Sequence, residues 1–303
     1  MAPSSDFQAF RDTLATSQRI VVLIGAGVCC VRRCPGIPSF RGPNGLWKMK
    51  SSKTFSTPED FKEDPSTVWQ FYHRVRQRCL LAQPNAAHHA IASLALPSVR
   101  SRLMPTSALG KPPLLVTQNF DGLSLRALDA LADRLDPVEQ KLARERIIEM
   151  HGSITKTVCL QCRHVKQSFD VALCPALEGA IEANVGEKTI PVDQLPRCGG
   201  PHWNGSNRYG RCGGLLRPAV VWFGEVPEGM GEIAKELNWT DLLIVVGTSS
   251  LVHPAASFAR TVKSRGGKIA IFNLERSQAD ENADFLFLGP CEVTLPSILG
   301  VTT

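Results

Sequence analysis

At 303 residues the chain is long enough for one large domain or two modest ones with a sizeable core. Hydrophobic residues make up 43% and charged residues 20%, a globular composition. The 34 Lys and Arg against 28 Asp and Glu leave a formal charge of +6, a mild excess that carries little weight by itself. No apolar run reaches the length of a membrane span, about 18 residues.

Taken in order, residues 6–18 have the spacing of a helix, with Phe7, Phe10 and Leu14 on one face. Ile20 to Ile24 is a fully apolar, β-branched run of the kind found in buried parallel strands. Gly25-Ala26-Gly27 follows directly. A strand, a Gly-rich turn and a helix start together suit a pyrophosphate, because small residues let backbone N–H groups approach it. A tight turn without ligand fits this stretch equally well.

From Val28 to Pro58 there is no Asp or Glu, and Cys30 stands where a third glycine would complete the dinucleotide fingerprint. An ordinary dehydrogenase would need a carboxylate there for the ribose hydroxyls, so that class is disfavoured. The stretch instead holds Gly36-Ile37-Pro38-Ser39-Phe40-Arg41-Gly42 and Gly45-Leu46-Trp47.

Residues 66–82 read as a helix, as do 85–96, while 97–113 reads as a variable loop. Leu114 to Val116 is a short buried strand ending in Gln118-Asn119-Phe120-Asp121, and α/β folds place function at such strand ends. Residues 124–146 read as one helix, leading to Glu149-Met150-His151-Gly152-Ser153. Beyond the segment 155–214, strands are predicted at 219–223, 241–247, 268–273 and 285–288, with helices at 228–237 and 254–264. Alternating strands and helices make a parallel α/β sheet.

The ten cysteines are uneven. Cys29, Cys30 and Cys34 cluster, Cys159 and Cys162 form a C-x-x-C pair, and Cys79, Cys174 and Cys291 stand alone. That pattern suits a reducing compartment and a metal site better than disulfides. Cys198 and Cys212 offer a second, widely spaced pair, with His202 as a competing ligand. The first ten residues lack the charged start and apolar core of a secretory signal. Asp6 and Asp12 count against a mitochondrial presequence.

These motifs, in this order from about residue 20 to about residue 292, resemble the sirtuins, the NAD-dependent protein-lysine deacylases. The resemblance implies a Rossmann-like parallel sheet with an inserted small zinc-binding domain. The NAD-binding part would comprise 1–44, 83–154 and 216–303, and the small domain a helical module at 45–82 with a zinc module at 155–215. One structural zinc would be held by Cys159, Cys162, Cys198 and Cys212. Cys212 is preferred over His202 because Cys212-Gly213-Gly214-Leu215-Leu216-Arg217-Pro218 looks like the family's exit from its zinc module.

In a sirtuin the acyl-lysine carbonyl oxygen attacks the nicotinamide ribose, nicotinamide leaves, and a histidine then acts as general base. The products are free lysine, nicotinamide and O-acyl-ADP-ribose. By resemblance His151 is that base. Cofactor contacts are implied at Gly25, Ala26, Gly27, Phe40, Arg41, Trp47, Gln118, Asn119, Asp121, Gly247, Thr248, Ser249, Asn273, Leu274, Glu275 and Cys291. Two departures stand out. Cys29 replaces the family's usual hydroxyl residue, and about three extra residues lie within Cys30–Pro35. Either the insertion bulges outward or the NAD site is weakened into a poorly active ADP-ribose-binding module.

An acyl-lysine protein or peptide is expected to add as a strand between 221–225 and 251–254, with Val221, Phe223 and Val252 in contact. Trp69-Gln70-Phe71-Tyr72-His73-Arg74-Val75-Arg76 looks most like the class III branch, which removes succinyl, malonyl and glutaryl groups. That branch reads the acyl carboxylate with a Tyr and an Arg three residues later. Tyr72 matches, but the Arg position is Val75. Arg76 is expected to reach the carboxylate from the next position on the same helix face. The alternative leaves Arg76 a surface charge and the pocket apolar, giving a plain deacetylase or long-chain deacylase. The partner expectations are completed by no direct nucleic acid, no membrane and a monomer, in the mitochondrion or in the cytoplasm and nucleus.

Overall fold

The structure, a computed structural model, describes residues 2–29, 55–107, 110–178, 185–186, 188–199, 212–249 and 251–301. The predicted contacts Phe40, Arg41 and Trp47, the insertion at Cys30–Pro35, and His202 lie outside these residues.

The chain opens with α1 (Phe7–Thr16), capped by the Asp6 carboxylate, and enters β1 (Ile20–Ile24). A tight 3-10 turn follows at Ala26–Cys29. Next come α2 (Pro58–Glu63), α3 (Pro65–Leu81), α4 (Ala86–Ser93) and α5 (Pro97–Leu103). Then β2 (Leu114–Thr117), α6 (Leu123–Asp129), α7 (Pro137–Glu145) and β3 (Ile147–Glu149) complete the first half. A second group holds β4 (Gly152–Cys159), β5 (Val165–Gln167), the single turn α8 (Pro175–Glu178) and β6 (Leu216–Val220). The last group is α9 (Met230–Leu237), β7 (Leu242–Val246), α10 (Phe258–Ser264), β8 (Lys268–Asn273), β9 (Phe285–Leu288) and α11 (Cys291–Leu299).

Six strands form an all-parallel sheet in the order β3-β2-β1-β7-β8-β9. The α/β class expected from sequence is therefore the one observed. Alternate residues of each central strand serve opposite faces. Ile20, Val22 and Ile24 of β1 pack with α1, α4, α6 and α11. Val21 and Leu23 pack with α9 and α10. Helices thus cover both faces, which is why β1 and β7 are apolar at every position. The strand order reverses between β1 and β7, so a crevice opens at their C-terminal ends.

The second sheet is antiparallel, in the order β5-β4-β6. Helix α3 lays Trp69, Tyr72, Val75 and Cys79 against Ile154, Val220 and Trp222, forming a third core. The Trp69 indole donates to the Leu216 carbonyl at 2.9 Å and ties α3 to β6.

Three sequence expectations need correction. The loop predicted at 97–113 contains α5: Pro97 occupies the first helical turn, where its missing N–H is harmless, and Val99 and Leu103 are buried. The single helix predicted at 124–146 is two, because Pro137 interrupts it and Asp136 caps the second by accepting from Val138 and Glu139 N–H. The strand predicted at 219–223 runs instead from Leu216 to Val220 and pairs with β4, outside the large sheet. The chain also continues past β9 into α11, whose Leu295, Ile298 and Leu299 are buried. No helix among the described residues is long and apolar enough to cross a membrane.

Candidate functional site

The C-terminal ends of β1, β2, β3, β7 and β8 carry most of the described residues singled out as cofactor or catalytic candidates. The turns after β1 and β7 are in backbone contact. Gly25 N–H donates to the Val246 carbonyl at 2.9 Å, and Gly27 N–H to the Gly247 carbonyl at 2.6 Å. A Cβ on Gly27 would stand 2.6 Å from the Gly247 carbonyl oxygen, and one on Gly247 only 2.1 Å from the Val28 nitrogen. Gly247 also has φ of +62°. These glycines are needed for the close approach of two loops. That corrects the sequence reading in one respect, since the N–H groups of Gly25 and Gly27 bond the neighbouring loop rather than pointing out at a phosphate.

Polar side chains knit the strand ends together. Gln118 Nε2 donates to Thr248 Oγ1 at 3.2 Å, Asn119 Nδ2 to the Gly25 carbonyl at 3.2 Å, and Asn273 Nδ2 to the Thr248 carbonyl at 2.9 Å. Asp121 accepts from Leu123 N–H at 2.9 Å. All five of Gln118, Asn119, Asp121, Thr248 and Asn273 are buried. Polar groups are costly to place in a core, so their gathering at one sheet end needs a reason beyond folding. Ala26 is half-buried, whereas Ser249, Leu274 and Glu275 are exposed around the same ends. Cys291 is different: it sits at the start of α11, buried, with its thiol on the Phe272 carbonyl at 3.6 Å.

His151 leaves β3 two residues after Glu149. Met150 anchors the turn: its N–H donates to the Thr117 carbonyl at 3.0 Å and its side chain is fully buried. The His151 ring lies half-buried with Nδ1 2.8 Å from the Gln118 carbonyl oxygen. A carbonyl can only accept, so Nδ1 carries the proton and Nε2 keeps its lone pair. Burial lowers the imidazole pKa, and the carbonyl bond partly opposes this. Glu149, given no role by the sequence reading, has its carboxyl pushed up to about 7 by burial, with Asp121 and Glu228 adding to the effect and Lys156, 3.8 Å away, opposing it. Its position at the end of a strand, two residues before the candidate histidine, was the available signal.

The expected peptide-binding segment adjoins His151. Val221 N–H donates to the His151 carbonyl at 2.9 Å, and Phe223 N–H to the Ser56 carbonyl at 2.9 Å. The Phe223 side chain is exposed, and Val221 and Val252 are half-exposed. Between them the Trp222 indole turns inward and donates to the Tyr72 hydroxyl at 2.8 Å. Arg217 was noted in the sequence only as part of the zinc-module exit. Its guanidinium stacks on the Trp222 ring, 3.5 Å from the centroid, and pairs with both carboxylate oxygens of Glu225. The second Glu225 oxygen accepts from Trp222 N–H at 2.8 Å.

Arg76 does not have the freedom the sequence reading gave it. It is 1% exposed, and its guanidinium donates to three backbone carbonyls: Ile154 at 2.6 Å, Ser168 at 2.6 Å and Asp170 at 2.8 Å. It joins α3 to the β4–β5 hairpin instead of facing the Tyr72 hydroxyl. The expectation that it meets an acyl carboxylate is corrected accordingly. Val75, on the same helix, is buried in the apolar core with Tyr72.

Cys159, Cys162, Cys198 and Cys212 bring their four sulfurs within 4.8 Å of one another. Cys159 Sγ to Cys212 Sγ and Cys162 Sγ to Cys198 Sγ are each 3.7 Å. Tetrahedral zinc with Zn–S bonds of about 2.3 Å requires sulfurs about 3.8 Å apart. The arrangement therefore fits a zinc ion and includes Cys212. Gly214 lies so close that a Cβ there would meet Cys159 Sγ at 2.8 Å.

A profile of the Sir2 family matches residues 25–254. The chain is 41% identical over 301 residues to the NAD-dependent protein deacylase sirtuin-5A, mitochondrial, of Xenopus laevis, covering 98% of this chain and 86% of the relative. It is 40% identical over 301 residues to the mitochondrial sirtuin-5 deacylase of Danio rerio, covering 98% and 87%. Among solved structures, a Sir2 homolog in complex with NAD superposes with a TM-score of 0.71 at 29% identity, covering 99% of this chain and 94% of that one.

Proposed function

The chain belongs to the Sir2 family, and from that premise we propose that it is an NAD-dependent protein-lysine deacylase with His151 as its general base. The observation that carries the assignment of His151 is the bond from its Nδ1 to the Gln118 carbonyl. It leaves Nε2 as the proton acceptor, at the sheet end where Gln118, Asn119 and Asp121 emerge.

The residues present fit NAD. The crevice lies where the strand order reverses, its loops approach through glycines, and five buried amide, hydroxyl and carboxyl side chains line the strand ends. NAD, when bound, supplies an electrophilic ribose carbon and nicotinamide as leaving group. Asn119 and Asp121 would orient the carboxamide, Gln118 a ribose, and Thr248, Asn273 and the exposed Ser249, Leu274 and Glu275 the adenosine end. Cys291 would act there only from behind, because its thiol faces the Phe272 carbonyl.

His151 takes a proton at Nε2 while Nδ1 stays on its carbonyl, so the ring does not turn as it charges. The lowered pKa keeps it neutral and able to accept at neutral pH. An acylated peptide would lie along 221–225 and 251–254, where backbone bonding gives affinity with little sequence demand. Zinc held by the four cysteines would staple the end of the small sheet and take no part in the chemistry. Mitochondrial residence belongs to the same proposal, supported by the names of the relatives.

The test is mass spectrometry of the full chain with NAD and acyl-lysine peptides. Nicotinamide and O-acyl-ADP-ribose should appear together, and only with both substrates. Acyl-lysine loss without NAD, or none with it, refutes the assignment.

A further inference from the structure

A short 3-10 turn leaves its last carbonyls without partners inside the turn. The turn at Ala26–Cys29 follows β1 directly, and the Val28 carbonyl is such a group. The Val28 side chain is fully buried, in the core that α4 and α11 share. Its carbonyl accepts from Asn85 Nδ2 at 2.7 Å, a bond that spans 57 residues of sequence. Asn85 is also the cap of α4. Its Oδ1 accepts from His88 N–H at 3.1 Å, and the His88 ring nitrogen Nδ1 lies 2.7 Å from the same oxygen. With the oxygen so engaged, the other end of the side chain is the NH2 group, as the Val28 carbonyl requires.

Capping alone does not call for an amide, since Asn, Asp and Ser cap helices about equally well. An ionised Asp has no donor for the Val28 carbonyl, and a Ser hydroxyl ends one bond nearer the main chain. The amide serves the helix and the turn at once. The neighbouring bonds run to other elements: Gly25 N–H to the Val246 carbonyl, Gly27 N–H to the Gly247 carbonyl, and Asn119 Nδ2 to the Gly25 carbonyl. Those bonds fix Gly25 and Gly27. The Asn85 bond fixes Val28, from a helix to which the sequence reading gave no cofactor contact.

Resting on the NAD reading of this crevice, we propose that Asn85 is a positioning residue for the cofactor. Its amide holds the Val28 carbonyl, so that the half-buried Ala26 and Gly27 are in place at the strand end before the dinucleotide arrives.

The experiment is calorimetry of the full chain with ADP-ribose, which carries the pyrophosphate of NAD and lacks the leaving group, beside thermal melting and steady-state kinetics. Asn85→Ser and Asn85→Asp keep the cap and lose the bridge, whereas Asn85→Ala loses both. Asn85→Ser should weaken ADP-ribose binding about fivefold and raise KM for NAD by a similar factor, the worth of one neutral hydrogen bond. KM for the acylated peptide should stay unchanged and Tm close to wild type. Asn85→Asp should weaken ADP-ribose at least as much, because its carboxylate faces a carbonyl. Asn85→Ala should weaken it no further than Asn85→Ser while melting at lower temperature. Unchanged affinity in Asn85→Ser and Asn85→Asp, with a loss in Asn85→Ala that follows Tm, would make Asn85 a helix cap alone. That result overturns the proposal and leaves the NAD reading standing. Equal rises in both KM values overturn it too, since they report a general loosening. A wild-type chain that binds no ADP-ribose overturns the proposal and the NAD reading together.

Discussion

The ring of His151 donates through Nδ1 to the backbone carbonyl of Gln118 at 2.8 Å. This single bond couples the proposed general base to the strand end that also presents Asn119 and Asp121. Replacing the ring should lower deacylation by about 100-fold or more while leaving the fold unchanged, because removal of a positioned base typically costs that much. Near-normal turnover by a folded His151→Ala protein would remove the residue from the mechanism.

The same bond sets a pH dependence. Burial lowers the His151 pKa below its ordinary 6.5, and the base must be neutral to act. Activity should therefore persist as pH falls through 6.5 and decline only below it. A kcat/KM profile whose acidic limb is centred above 6.5 would contradict the burial argument.

Glu149 gives the opposite sign. Its folded pKa is raised to about 7 from an ordinary 4.5. Between those values the native state holds a proton that the unfolded chain has released, so stability contributed by this group falls as pH rises. The cost is absent at pH 4 and complete above pH 7, on the order of 3 kcal/mol. Glu149→Gln should raise Tm at pH 8 by more than at pH 4.5. Equal shifts at both pH values would show that the carboxyl is not desolvated as its burial suggests.

The zinc assignment predicts about one zinc per chain in freshly purified, reduced protein. Cys212→Ser should lose the metal and destabilise the small antiparallel sheet, whereas His202→Ala should retain it. Elemental analysis and thermal melting separate the two. The reverse pattern would exchange the ligands.

Much of the large sheet could be read from the chain because β1, β7 and β8 bury both faces and so carry unbroken apolar runs. The glycine turns and the Gln118–Asp121 segment sit directly after such runs, which made their place at the strand ends legible. What failed was set by partners distant in sequence. Arg76 was placed correctly on its helix face, but the carbonyls that hold it belong to residues 154, 168 and 170, in a hairpin whose strand boundaries the sequence did not give. The clamp of Arg217 on Trp222 and Glu225 was hidden for a related reason. The expected strand at 219–223 would have projected Trp222 from a parallel sheet, whereas β6 ends at Val220 and frees the indole to turn inward. Pro137 was a legible helix break that the run of helix-favouring residues around it obscured.

Arg76 supplies the last prediction. Its guanidinium is buried and bridges α3 to three carbonyls at the β4–β5 hairpin. Arg76→Met would keep much of the aliphatic stem and leave those carbonyls without their donor. Losing charge-assisted bonds to buried groups costs roughly 3 kcal/mol or more. The variant should therefore unfold at markedly lower temperature or denaturant, and zinc should be lost more readily from the hairpin that Arg76 braces. Arg76→Lys should recover only part of the stability, because an ammonium cannot span three acceptors held in a fork geometry. The ratio of butyryl- to succinyl-lysine turnover, measured on folded Arg76→Met protein, should stay at the wild-type value. A ratio that moves while stability does not would return Arg76 to acyl recognition and overturn its assignment as a brace.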